Sequence, residues 1–494
     1  MTDRWLLIEN GTVVDGDANP PVPECAVLVC NSRIVKMGVI DREVDVPRGA
    51  SVQVIDARGK TVMPGLIDIH CHMTYGLART EEEISIYTPP ELRTLIAAAN
   101  VEKVLAAGVT SMSQPGGSYF IGVGLREGIK RGIVHGPRMT SAGRYLTTSN
   151  GLTDWFPDAT GNPESSIGKL TNTVDQMKEE IRRQAKAGVD LIKLADSPYG
   201  DFQAFTDDEL KMAADLAHQL KLKITIHARG DAEMNAAVEA GFDHIMHGNF
   251  MSDATIENLA KSQIPLAPTQ LFMHHIVEFA EISRNRPSIV EATKRMNDAT
   301  QETLHRAYAA GVKFAMGTDS GFATVPYGVW HARELEMLML YTGMSSLEAI
   351  QAGTKHGANA MGLDGEVGVL AVGKLADIIV VDGDPVADIR VLYTPGKVTH
   401  VVLNGQVQSF PDNIRDRYLR NDYLPHEYGW EVLSYERVFE GAPQPKTQLD
   451  WTGEQRLDVV NDVRKSEKIG ANYEKVGAGT GPAAALNGDG PASV

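Results

Sequence analysis

The sequence predicts an α/β protein, a (β/α)8 TIM barrel with a small β-sandwich domain formed by both chain ends, and three observations predict it. Short apolar runs alternate with longer amphipathic stretches from about Thr61 to Thr342, the texture of βα units around a parallel sheet. Eight such units can be counted, the number that closes a barrel. Outside them, residues 5–62 and 373–408 read as β-rich segments with turns at Glu9-Asn10-Gly11, Asn31-Ser32 and Asn404-Gly405.

Taken in order, the strand candidates are residues 62–70, 109–112, 138–142, 189–194, 223–227, 244–247, 265–268 and 313–318. Helical periodicity follows each one, for instance over 91–107, 208–220 and 287–310, and Gly or Pro often punctuates the return. The expected organisation is therefore 1–62 as the first part of the sandwich, 63–365 as the barrel and 366–417 as the second part. Residues 418–476 form a polar extension carrying Tyr423, Tyr428, Trp430, Tyr435 and Trp451, which are expected to pack on the barrel or on a neighbouring subunit. The Gly-, Ala- and Pro-rich stretch 477–494 is expected to be a flexible tail.

Composition narrows the function classes. An apolar content of 43% with 22% charged residues is ordinary for a globular protein, and the formal net charge of −17 disfavours nucleic acid or an anionic membrane as partner. Three cysteines, Cys25, Cys30 and Cys71, make neither a disulfide framework nor a zinc ribbon. No apolar run approaches the roughly 20 residues that cross a bilayer, and Met1–Asn10 lacks the pattern of an export signal. The chain is expected to be cytoplasmic and to act on a small molecule.

The chemistry gathers at strand ends. Asp68-Ile69-His70-Cys71-His72 alternates, so Asp68, His70 and His72 are expected on one side, where two imidazoles could bind one metal or remain two satisfied polar residues. Cys71 between them should face the helices as a small core residue. Lys193 falls at the end of the fourth strand in an apolar context that disfavours its ammonium form. Either a carboxylate partner or carboxylation of the amine to a carbamate would answer that charge. On the fifth strand, Thr225 and His227 share a face. On the sixth, His244 and His247 point to opposite sides; His247, nearer the carboxyl end and followed by Gly248, is the preferred ligand. Asp319 either caps the turn that follows it or joins the site, with small Ala315 and Gly317 leaving room around it. Each of these groups lies at a carboxyl end, where such barrels build their sites.

The stretches Val62-Met63-Pro64-Gly65-Leu66-Ile67-Asp68-Ile69-His70-Cys71-His72, Lys193, His227, His247-Gly248, Gly317-Thr318-Asp319-Ser320 and Gly373 to Pro385 make the chain resemble the amidohydrolase superfamily over roughly residues 6–391. The resemblance implies a binuclear site, usually zinc, with His70, His72 and Asp319 on one ion, His227 and His247 on the other, and carboxylated Lys193 bridging. It also implies homo-oligomers, which are common in the family. Two cations sharing one water would lower its pKa toward neutrality, and Asp319 would act as general base and then acid. Relatives that use one metal commonly lack the strand-four lysine, and scaffold relatives have lost ligands; the presence of Lys193 and of all six groups argues against both readings.

Within the superfamily the chain is most similar to the prolidase-like and imidazolonepropionase-like branch, which includes Xaa-Pro dipeptidases, ochratoxin-degrading amidases and phenylurea hydrolases. That branch often shows Thr-Gly-Gly-His-Gly after its third strand, whereas Ser149-Asn150-Gly151-Leu152-Thr153 stands here. With Leu152 in place of the histidine, and with Tyr145, Trp155, Phe272 and Met273 as substrate-contact candidates, the expected substrate is an aryl amide, anilide, carbamate or urea. An Xaa-Pro dipeptide is the alternative.

Overall fold

Strand geometry divides the chain into one mixed sheet and two parallel ones, in a computed structural model that describes residues 3–283, 285–414 and 433–441. The strands are β1 (Trp5–Val13), β2 (Val22–Cys30), β3 (Arg33–Gly38), β4 (Val52–Asp56), β5 (Thr61–Pro64), β6 (Leu66–Asp68), β7 (Val109–Gln114), β8 (Arg138–Ser141) and β9 (Tyr145–Thr147). They continue as β10 (Gly168–Leu170), β11 (Leu191–Ala195), β12 (Lys223–Ala228), β13 (His244–His247), β14 (Leu266–Ala267), β15 (Ile378–Val381), β16 (Val398–Leu403) and β17 (Gln406–Val407).

The mixed sheet runs β17-β16-β15-β5-β1-β2-β3, with β4 also paired to β1. Its central seam is the antiparallel pairing of β15 with β5, from Ile378 opposite Pro64 to Val381 opposite Thr61, so segments more than 300 residues apart share one sheet. Period-two alternation explains its burial: Leu6 and Ile8 pack with Val27, Val29 and Val402 on one face, while Leu7 packs with Leu28 and Val46 on the other.

The expected first barrel strand is two strands. β5 belongs to the mixed sheet and β6 to the three-stranded parallel sheet β6-β7-β8, with Gly65 at the join. A Cβ at Gly65 would fall 2.1 Å from Thr110 Oγ1, so only glycine lets the chain pass this close to β7. The six-stranded parallel sheet runs β10-β9-β11-β12-β13-β14. Asp190 N donates to Ser141 O at 2.9 Å where β11 approaches β8. The expected eighth strand forms no regular ladder. Instead Ala315 N donates to Leu266 O at 2.9 Å, Ile69 N to Met316 O at 3.0 Å and Asp319 N to His70 O at 2.7 Å, tying residues 313–319 to both parallel sheets.

Helices fall where the apolar period and caps place them. Pro90–Ala106, Asp207–Gln219 and Pro287–Ala309 match the expected spans within a residue or so. The second starts in a reciprocal cap between Thr206 and Glu209, and the third starts on a proline whose missing N–H would have had no partner in the first turn. Their inner faces and the parallel strands enclose one large apolar core. No helix among the described residues is long and apolar enough to cross a membrane. Of the expected 418–476 extension, only 433–441 is described: Trp330 Nε1 donates to Leu433 O, and the rings of Tyr435 and Phe439 lie 6.0 Å from that of Trp330. Tyr423, Tyr428, Trp430, Trp451 and the 477–494 tail lie outside the described residues.

Candidate active site

Beyond the carboxyl ends of the parallel strands lies a cavity of about 520 Å³. His70, His72, Lys193, His227, His247 and Asp319 all line it, together with Tyr145, Trp155, Phe272 and Met273. His72 Nε2 lies 3.2 Å from Asp319 Oδ1 and His70 Nε2 lies 3.5 Å from it. Ring centroids are 4.8 Å apart for His70 and His72, 5.4 Å for His70 and His247, and 4.2 Å for His227 and His247. One potential ligand atom from each of His70, His247 and Asp319 lies within 4.8 Å of the other two.

The outer nitrogens of the two β6-end histidines are tied back. His70 Nδ1 lies 3.0 Å from Thr269 Oγ1, and His72 Nδ1 lies 2.9 Å from the Gly116 carbonyl, which leaves each Nε2 toward Asp319. Such anchoring fixes the ring and its tautomer in metal-binding histidines. Gly317 makes room for the arrangement, since a Cβ there would meet His70 Cβ at 2.8 Å. The backbone is strained at the same place: His247, Thr269 and Asp319 adopt φ of 81°, 58° and 58°. Non-glycine residues held in that region cost on the order of 1–3 kcal/mol each and cluster at functional sites.

Electrostatics favour ligand forms of these groups. Burial holds the His70, His227 and His247 imidazoles well below their ordinary range, so they are neutral at physiological pH. Burial opposes the charge on Asp319, but His70, His72 and Lys193 around it outweigh that effect and keep the carboxylate ionised. Burial also brings the Lys193 ammonium down to about 7. Its amine meets Met246 Sδ and lies 5.8 Å from the Tyr145 ring centroid, and no carboxylate among the described residues stands within 4.0 Å of it.

These residues fit divalent cations. His227 Nε2 and His247 Nδ1 are buried without hydrogen-bond partners, and the set combines neutral imidazoles with one carboxylate. His244 faces away from the cavity; both its nitrogens lack partners and burial lowers it to about 3. Asp68 departs from the sequence expectation. The strand period ends with β6, and the Asp68 carboxylate turns away from the cavity to accept from His70 N, Thr318 N, Thr318 Oγ1 and His331 Nδ1, the last at 2.7 Å. His331 Nε2 in turn accepts from Gly328 N at 3.0 Å, so this neighbouring cluster, with Cys71, is a brace whose polar atoms are already used.

Sequence reasoning missed several wall residues. Tyr75 stacks on His72 at 4.3 Å and shares a 2.7 Å hydrogen bond with the Tyr145 hydroxyl, which itself lies 3.1 Å from His72 Nε2. Phe322 and Arg229 also line the cavity. Arg229, two residues beyond His227, could have been found from strand alternation; Tyr75 and the Gly116 carbonyl lie on irregular backbone and gave no such signal.

Histidines, a carboxylate and a buried lysine gathered around one cavity define a site for hydrolytic chemistry. The chain belongs to the amidohydrolase family, whose model, described as "Amidohydrolase family", matches residues 61–407. It is an enzyme acting on carbon–nitrogen bonds. Ochratoxinase of Aspergillus niger is 26% identical to it, over 83% of this chain and 87% of the relative. Imidazolonepropionase of Symbiobacterium thermophilum is 24% identical over 80% and 92%, respectively. A solved Xaa-Pro dipeptidase with bound methionine in the active site is 26% identical, with a TM-score of 0.72 over 82% of this chain and all of that one. These relatives bear out the expected prolidase-like amidohydrolase branch.

Proposed function

We propose that the chain is a binuclear metal-dependent hydrolase cleaving an aryl amide, anilide, carbamate or urea. The observation that carries this reading is the convergence of His70, His72, Lys193, His227, His247 and Asp319 on one cavity whose remaining wall is largely apolar. In this reading the parallel strands and residues 313–319 make one closed (β/α)8 barrel, and the mixed sheet is the small sandwich.

His70, His72 and Asp319 would hold one ion and His227 and His247 the other, with Lys193 between them. When bound, two divalent ions such as zinc would supply Lewis acidity and lower the pKa of water held at the site. The depressed Lys193 amine adds carbon dioxide and releases a proton to become an anionic carbamate. Among the described residues no carboxylate stands within 4.0 Å of the Lys193 amine, which supports carboxylation over the alternative of a carboxylate partner. Asp319 takes a proton from the attacking water and returns it to the departing nitrogen. Tyr145, whose hydroxyl burial keeps protonated, donates to the carbonyl oxygen as charge develops there. Leu152, Trp155 and Phe322 pack on the cluster of Tyr75, Ile84, Tyr145 and Ile167, and Phe272 and Met273 line another part of the cavity, giving an aromatic group an apolar seat. Three unpaired cysteines accord with a cytoplasmic setting.

Likeness to the solved dipeptidase favours a second reading, cleavage of Xaa-Pro dipeptides. Metal analysis of purified protein should give about two equivalents, as the donor set would hold. A hydrolysis panel of N-acyl anilines and phenylureas against Xaa-Pro dipeptides decides the substrate: the first group should be preferred, and preference for the dipeptides would replace the first reading with the second.

A further inference from the structure

Arg333 and Glu334 open the helix Arg333–Thr342, and their side chains grip opposite ends of a second helix, Gln270–Glu278. Arg333 Nη2 pairs with the Glu278 carboxylate at 2.7 Å, and its Nη1 donates to His275 Nε2 at 2.9 Å. Glu334 reaches the other end, where its two oxygens accept from Gln270 N at 3.0 Å and Leu271 N at 2.8 Å. Thr269, the residue before that helix, gives it no side-chain cap, so a carboxyl group 63 and 64 residues away in sequence does so. Glu334 and Thr269 are both buried. N–H groups left without partners at a buried helix start are costly, which makes this cap a firm fixing point.

What the cap fixes is a turn that touches the cavity. Thr269 is held at φ 58°, a conformation unfavourable for a β-branched residue. Its Oγ1 donates to Ala267 O at 3.2 Å, so its hydrogen is committed and a lone pair faces His70 Nδ1 at 3.0 Å. His70 therefore carries its proton on Nδ1 and presents a bare Nε2 to the cavity, the form a cation requires. Relaxation of the 269–271 backbone would let Thr269 leave its strained conformation and carry the hydroxyl away from His70.

We propose that Glu334 is a positioning residue of the cavity: by capping Gln270–Glu278 it holds Thr269 in place, and Thr269 sets the tautomer of His70. Glu334 itself does not line the cavity. The consequence for metal binding rests on the binuclear reading above, whereas the tautomer does not.

The test uses the full-length protein with isotopically labelled histidine nitrogens, His70 being assigned by loss of its signals in His70→Asn. Glu334→Gln keeps the shape of the side chain but turns an N–H toward one backbone donor, since an amide accepts at one end only. Thr269→Val removes the acceptor beside His70, and Thr269→Ser keeps it. In metal-free protein, nitrogen NMR should show His70 protonated at Nδ1 in the wild type and in Thr269→Ser, and a mixture of tautomers in Glu334→Gln and Thr269→Val. Zinc affinity, from competition with a chelator, should fall about 10–100-fold in the latter two. Their double variant should bind within about threefold of the weaker single one, because one path carries both effects. Arg333→Gln loosens the opposite end of the same helix and should leave the tautomer and zinc affinity as in the wild type. A wild-type tautomer in Glu334→Gln or in Thr269→Val, losses that multiply in the double variant, or equal loss in Arg333→Gln would overturn the proposal. Should Glu334→Gln fail to fold, Glu334→Asp, which draws the carboxyl back by one methylene, takes its place with the same expectations. A wild type that binds no zinc but shows the tautomer shift in these variants would instead sink the metal reading and leave the positioning role standing.

Discussion

Lys193 occupies the middle of β11 with a thioether and an aromatic ring as neighbours, so its amine is a base by burial alone. If a carbamate on it joins two cations, its removal costs more than the 10–100-fold typical of groups that merely support metal ligands. Lys193→Ala should therefore lose roughly a hundredfold or more in kcat, and acetate or propionate should restore part of it; full activity without rescue would show the bridge wrongly assigned. Glu334 is another buried ionisable group whose state can be read out. It accepts from Gln270 N and Leu271 N at 3.0 and 2.8 Å, yet burial pushes its carboxyl up to about 8. Between its ordinary 4.5 and about 8 the folded protein holds a proton that the unfolded chain has released, so this group makes stability fall as pH rises across that window. Glu334→Gln carries no such proton, and its stability relative to wild type should rise from about pH 5 to about pH 8.5 in urea titrations. A difference that stays flat with pH would mean Glu334 is ionised throughout.

Elements meet most tightly where β5 hands over to β6. Gly65 N donates to Asp377 O at 3.0 Å in one sheet, and Leu66 N donates to Gly108 O at 2.9 Å at the edge of the next. Gly65→Ala would drive a methyl into Thr110 and should destabilise by about 1–3 kcal/mol, read from the urea midpoint. Gly124→Ala, in the helix Ile121–Lys130 with nothing within 4 Å, is the control and should be neutral or slightly stabilising. Equal loss in both variants would mean the close approach of β6 to β7 is not what glycine serves. Most strands and helices here were legible in the sequence because each shows its own period and caps. The division at Gly65 was not, since 62–67 carries no polar side chain and nothing local records which sheet each half joins. Asp68 was misplaced for the same reason: extrapolating the strand period to it assumed a strand longer than three residues.

At the scale of the whole molecule, the cavity draws on the residues just after β6, on β11, β12 and β13, and on residue 319, parts of the chain up to about 250 residues apart. Ions held by those parts would bind only the folded state. Metal removal by a chelator should lower unfolding free energy by about 3 kcal/mol at metal concentrations near a hundred times Kd, with recovery on adding zinc back. Thermal unfolding that ignores both treatments would count against any metal reading.

The sequence by itself determined the alternation of strands and helices and the residue types available for the site. Those properties follow from covalent geometry and side-chain chemistry within a few neighbouring residues. Only the tertiary structure decided that Asp68 braces His331 rather than joining the cavity, that Tyr75 and Tyr145 close over His72, and that Arg229 stands on the cavity wall bonded to Asn249. Each of these depends on which distant groups arrive beside it, and electrostatic and hydrogen-bond partners across a fold leave no trace in local periodicity.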